Sequence, residues 1–132
     1  MIFDLELEIK SKKGELHFRR WTLLKTRWFD VYIHGIYKAD TDKYLHDHPW
    51  DIWTMVLWGS YLEELPNKEY NYRSCLNMGY RGDKEFHKIR TCFGPTYTLA
   101  IMGKVKREWG YDVEGVWVQN EEYRRLKREK KI

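Results

Sequence analysis

Hydrophobic and polar positions along this chain repeat with a period of two more often than with the three-to-four spacing of a helix. Residues 5–10, LELEIK, alternate strictly between apolar and charged, the pattern of a half-buried strand or an N-terminal arm. In residues 28–39, WFDVYIHGIYKA, Val31, Ile33 and Gly35 alternate with Tyr32, His34 and Ile36. β-branched and aromatic types fit a pleated surface, so this segment predicts a central strand. A polar turn, ADTDKY, follows. Residues 51–65, DIWTMVLWGSYLEEL, continue as strand with a break at Gly59, where glycine marks a bulge or tight bend. Residues 66–81 read as a hairpin connection and a short strand. Residues 85–90 and 96–111 predict two more strands around the FGP turn at 93–95, and GVWVQN predicts a last short one. The fold class expected is all-β, a small antiparallel barrel over residues 1–120. Residues 121–132, ending in LKREKKI, form a basic tail or short exposed helix.

Composition supports one folded unit. The chain has 132 residues, enough for a single core, and 17% are aromatic, with seven Trp and ten Tyr. The net charge of +4 comes from 24 basic against 20 acidic residues and gathers in the tail. That excess is too small and too terminal to predict nucleic-acid binding. Two cysteines, Cys75 and Cys92, lack C-x-x-C spacing, and MIFDLELEIKSKKG does not read as a secretory leader. No apolar run approaches the roughly 18 residues needed to span a bilayer. These features together predict a cytoplasmic protein with free thiols and no membrane partner.

The candidate chemistry lies in KYLHDHPWDIW, residues 43–53, where His46 and His48 stand one residue apart. Alternate strand residues share a face at a spacing of about 6.6–6.8 Å. Their rings can therefore tilt toward one ion at metal–nitrogen distances of about 2.0–2.1 Å. Asp47 between them points to the opposite face. A third ligand must come from elsewhere in the sheet, and His87, in GDKEFHKI, is the best candidate. His17 sits in the basic stretch ELHFRR, and His34 lies on a strand with no paired ligand beside it.

The order H-x-H, a strand ending at glycine, a variable connection, then G-(x)4-H and a further strand resembles the two-motif signature of the cupin superfamily. HDHPW, WGSYLEE, FHKI and PTYTLAIMGKVKREWGY resemble the corresponding parts of small bacterial and phage cupin-domain proteins, over residues 18–118. The resemblance implies a jelly-roll barrel with His46, His48 and His87 as metal ligands. The usual glutamate of the first motif falls near Ile52, which cannot coordinate. Asp51 is one residue short of that position, and Pro49 could introduce a bulge that turns it inward. The second motif also lacks its usual proline and terminal asparagine.

Three imidazoles leave a divalent ion its full charge, which favours anionic ligands. Thiol dioxygenases within the cupin superfamily use a similar three-histidine iron centre. The resemblance therefore implies a divalent transition metal, Fe(II) first, with Ni, Zn and Cu as alternatives. It implies a dioxygenase-like enzyme acting on a small anionic molecule. A cupin that binds or sequesters a nucleotide or sugar phosphate is the alternative. A metal-free sugar-nucleotide isomerase with a histidine base is a third reading, and sheet-edge pairing into a homodimer is also expected.

Several further residues are candidates. Arg107, in KREWGY, is expected to point inward from a strand and grip a carboxylate or phosphate; its alternative is a surface pair with Glu108 or Asp112. Asp51 is either a ligand or support to a histidine, or a cap on the turn after Pro49. Arg81, Trp50 and Tyr97 are candidate substrate contacts, with Tyr37 a second possible pocket phenol. Trp53 and Trp58 are expected to fill the barrel.

Overall fold

The structure, a computed structural model, describes residues 4–132. Its strands are β1 (Asp4–Lys10), β2 (Leu16–Lys25), β3 (Phe29–Ile36), β4 (Ile52–Trp58), β5 (Ser60–Leu65), β6 (Glu69–Ser74), β7 (Met78–Arg81), β8 (Lys88–Cys92), β9 (Thr96–Gly103), β10 (Gly110–Val113) and β11 (Val116–Gln119). One helix, α1 (Asn120–Arg128), follows. The large sheet runs β1-β2-β3-β9-β4-β7, the small one β6-β5-β8, and β10-β11 form a separate ribbon. All pairings are antiparallel.

The two-residue period decides which side chains lie between the sheets. Thr96, Thr98, Ala100 and Met102 of β9 are buried while the residues between them are partly exposed. Tyr32, His34 and Ile36 do the same from β3. Two apolar clusters result: Tyr32, Ala100 and Met102 with Trp50 and Ile52, and Ile36, Val56 and Tyr61 with Phe18, Ile89 and Cys92. The chain passes from the large sheet to the small one at Gly59, whose φ of +88° belongs to the left-handed region. A Cβ there would stand 2.4 Å from the carbonyl oxygen of Pro95, so the break expected at Gly59 is one only glycine can make.

Three sequence expectations differ from the structure, and one strand lies where none was expected. β1 is exposed along its whole length, because it is the edge of a six-stranded sheet facing a three-stranded one. The stretch around ELHFRR forms the ten-residue β2, placing Phe18 and Arg20 inside. The strand expected over 96–111 stops at Gly103, leaving 104–109 as a loop. Trp53 and Trp58 do not fill the interior: Ile52, Thr54 and Val56 take the inward positions of β4, and Trp58 is 70% exposed.

The C-terminal segment is docked. Tyr123 of α1 is buried and stacks on Tyr111 at 3.7 Å between ring centres. Asp42 anchors the helix, accepting from the Tyr111 hydroxyl at 3.1 Å and from Lys127 Nζ at 2.9 Å. Among the described residues no helix is long and apolar enough to cross a membrane.

Candidate metal centre

His46 and His48 lie in the segment that joins β3 to β4, which is laced to the strands around it by backbone bonds. His46 N donates to His87 O at 3.0 Å and His87 N donates to His46 O at 2.9 Å, a single antiparallel bridge. Asp47 N donates to Gly110 O at 3.0 Å, tying the same segment to β10. These bonds set the alternation of the motif: His46 and His48 face the interior and Asp47 faces away.

One ring nitrogen from each of His46, His48 and His87 lies within 4.8 Å of the others. His48 Nε2 and His87 Nε2 are 2.7 Å apart and share a hydrogen bond. Burial, with His87 beside it, pushes the His46 imidazole down to about 3, and burial likewise holds His48 well below its ordinary range. Both are therefore neutral near pH 7, the form in which imidazole binds a metal.

Behind His87 stands Glu63, 2% exposed. Its Oε2 lies 2.7 Å from His87 Nδ1, and its Oε1 forms an ion pair with Arg81 Nη2 at 2.7 Å. That oxygen has no aligned hydrogen-bond donor, so its compensation is charge alone. Burial on its own would raise the Glu63 carboxyl; the hydrogen bond from His87 and the charges of His87, Arg81 and Arg73 outweigh it and hold the group below its usual range. With Nδ1–H donating to Glu63, His87 Nε2 is the acceptor in its bond with His48 Nε2, and the lone pair it presents there is the one an ion would take. Three convergent imidazoles, one backed by a carboxylate, fit a divalent transition metal.

The histidines open onto a chamber of about 190 Å³, walled by Phe18, Ile36, Trp50, Ile52, Thr98 and Met102 among others. The Trp50 ring stacks on His48 at 5.9 Å, with 11° between the planes.

No family model matches the chain, and no curated protein matches it in sequence. Solved structures do match. A cupin-2 domain protein from Rhodospirillum rubrum superposes with a TM-score of 0.64 at 12% identity, covering 96% of this chain and 82% of that one. The chain has the cupin fold. A mannose-6-phosphate isomerase assigned as such in Ralstonia eutropha JMP134 gives 0.60 at 18% identity, over 67% of this chain and 85% of that one. Hydroxypropylphosphonic acid epoxidase from S. wedmorenis gives 0.58 at 12% identity, over 76% of this chain and 56% of that one. The chain spans just over half the length of the epoxidase and of the DMSP lyase it matches, 56% and 57%. At these identities the likeness is one of fold.

Within the cupin frame, the expected site residues separate into two groups. His46, His48, His87 and Trp50 meet at the chamber, and Ile52 occupies the inward position after the H-x-H motif. Asp51 does not: it accepts from Asp83 N at 2.9 Å and pairs with Lys106, so Pro49 does not turn it toward the histidines. The Lys106 charge and the Asp83 amide hold its carboxyl below the usual range. Arg107 sits in the loop after β9, outside the chamber. Its Nη1 donates to Asp47 Oδ2 at 2.9 Å, to Asp83 O at 3.0 Å and to His48 O at 3.3 Å. Asp47, 1% exposed, also accepts from Gly110 N and from Trp117 Nε1, so Arg107 clasps the back of the histidine segment. Tyr97 occupies the outer face of β9 beside Tyr37, the hydroxyls 3.4 Å apart. Arg81 is held by Glu63 and borders a smaller hollow of about 130 Å³ on the other side of His48 and His87.

Two residues that the sequence reading passed over occupy central positions. Glu63 shares the inward face of β5 with Tyr61, and a carboxylate on the buried side of an alternating strand was the readable signal. Arg20 projects from β2 into the chamber, where its Nε donates to His34 Nε2 at 3.1 Å. The two are register partners on adjacent strands, so their side chains share a face. Burial pushes the guanidinium of Arg20 below its ordinary value, and burial with the Arg20 charge pushes His34 down to about 3.

Proposed function

We propose that the protein is a metal-dependent cupin enzyme that oxidises a small anionic molecule with dioxygen, using one divalent transition ion, Fe(II) first, held by His46, His48 and His87. The observation that carries this reading is the convergence of three imidazoles on a walled chamber where Ile52 replaces a fourth, anionic ligand. An ion bound there supplies Lewis acidity and open positions for substrate and oxidant. The protein's own residues do the rest. Glu63 fixes the ring of His87, Trp50 packs on His48, and the apolar wall keeps bulk water from the reacting atoms.

The chamber also limits what can enter. At about 190 Å³ it is smaller than the roughly 300–1,000 Å³ of drug-sized ligand pockets, which favours an acid of few heavy atoms. Metal analysis of tag-free protein tests the reading. About one transition ion per chain is expected, lost in His48→Ala, together with oxygen uptake in the presence of small organic acids and thiols. Absence of metal from both proteins sinks it.

A second reading, a cupin that binds a sugar phosphate or nucleotide without reaction, draws support from a groove of about 360 Å³ that shares Arg20, His46 and His48 with the chamber and adds Lys38 for the phosphate and Asp42 beside Asp40 for hydroxyl groups. A thermal shift with such ligands, with no oxygen uptake across the acids and thiols, would favour it.

A further inference from the structure

We infer that Arg20 is the anchor for a substrate carboxylate, and that the ligands of this chamber are small monocarboxylic acids with an apolar body. The inference deepens the proposed function in that it concerns the same chamber, but it does not require the metal.

Arg20 is the one Arg or Lys among the described residues that line the chamber. Unlike Arg81 and Arg107, it has no carboxylate within 4.0 Å among the described residues. Its Nε is taken by His34, while the N–H groups of Nη1 and Nη2 have no protein acceptor among the described residues and remain accessible. Glu6 and Asp30 act on it only at longer range and pair directly with Lys25 and Lys104; a half-buried cation with no direct counter-ion is costly, and a bound anion reduces the cost. The head is also held in place. It lies 4.7 Å from the Tyr32 ring centre, 5.8 Å from Phe18 and 5.9 Å from Trp50. Such a collar fixes the plane of the guanidinium and leaves its fork open.

The chemistry of the walls selects the anion. A planar fork matches the two oxygens of a carboxylate in a bidentate pair. The one carboxyl in the lining, Asp40, accepts from Ile89 N at 2.7 Å, so it is tied to β8. The single positive charge of Arg20 then matches a monoanion, whereas a phosphate dianion would bring more charge beside Asp40 and leave oxygens against Phe18, Ile36, Ile52 and Met102, which can bond none of them. Those side chains suit an alkyl or aryl body instead.

Isothermal titration of the full chain with propionate, butyrate and benzoate tests the inference. Inorganic phosphate and methylphosphonate serve as controls, and the chain is studied both metal-stripped and metal-loaded. At least one monocarboxylate is expected to bind both forms, with affinity reduced tenfold or more in Arg20→Gln and the metal content of that variant unchanged. Should Arg20→Gln fail to fold, Arg20→Lys keeps the charge in the collar but lacks the fork, and a several-fold loss is expected there. Unchanged affinity in the folded variant, binding of phosphate or phosphonate in preference to every carboxylate, or no binding by wild type each overturns the inference. Absence of metal from the protein as isolated, with Arg20-dependent carboxylate binding intact, would sink the oxygenase reading and leave this one standing.

Discussion

Each charged residue near the histidines does one of two jobs, and the direction of its side chain decides which. Glu63 and Asp47 are both almost fully buried carboxylates paired with an arginine. Glu63 faces the inward side of its strand, lines the smaller hollow beside Arg81 and reaches His87; Asp47, between two inward histidines, faces the ribbon β10-β11. Glu63→Gln should therefore act on the metal. The amide keeps the shape but loses the charge that pairs with Arg81, so metal affinity measured by chelator competition is expected to fall about 10- to 100-fold. Arg107→Ala should act on stability instead, since it strips a buried carboxylate and two backbone carbonyls of a donor. A loss of about 2–3 kcal/mol in urea unfolding is expected, with bound metal retained at saturating ion. A variant that kept its stability but lost turnover would return Arg107 to the chemistry. The histidines were legible because alternation is local. Arg107 was misplaced because its direction depends on where β9 ends.

At the level of elements, sequence pattern located strands well where glycine or proline punctuated them and poorly where charge masked the alternation. Gly59 marked the passage from β4 to β5, and the Phe93-Gly94-Pro95 turn marked the passage from β8 to β9. β2 was hidden because His17, Arg19 and Arg20 make its first half read as basic surface, although Phe18 and Arg20 alternate inward. The tail was read as exposed from its charge, yet Tyr123 gives α1 a buried anchor on the ribbon. Tyr123→Ala should cost about 3 kcal/mol by the scale of buried aromatic truncations, measured by denaturant unfolding. Asp42 makes this docking sensitive to acid. Burial would raise its carboxyl, but Lys127 and the Tyr111 and Tyr123 hydroxyls hold it below the usual value. Its contribution is thus present above the unfolded carboxylate value of about 3.9 and lost as pH falls through the lower folded one. Near-UV spectra should show Tyr123 loosening only below about pH 4, and a transition already complete at pH 5 would contradict this role.

For the molecule as a whole, the cost of building a polar chamber between two sheets is a set of imidazoles that the fold keeps neutral. His34 is the cleanest case because it is no metal candidate: it is buried, stacked near Tyr32 at 5.9 Å and Phe18 at 5.0 Å, and faces the positive charge of Arg20. Its folded value of about 3 lies below the ordinary value near 6.5, so between these limits the unfolded chain binds a proton that the folded chain refuses. Stability is therefore complete above about pH 6.5 and falls as pH drops toward 3, by up to about 1.4 kcal/mol per pH unit from this residue. His34→Gln keeps an acceptor for Arg20 and has no proton to gain. Urea unfolding of metal-stripped protein at pH 7.0, 6.0 and 5.0 should show wild type losing stability with each step and the variant losing less. The gap should widen toward pH 5, because the wild-type penalty accumulates while the variant retains only the contributions of the other histidines. Parallel pH profiles for the two proteins would mean that His34 can take up its proton inside the fold.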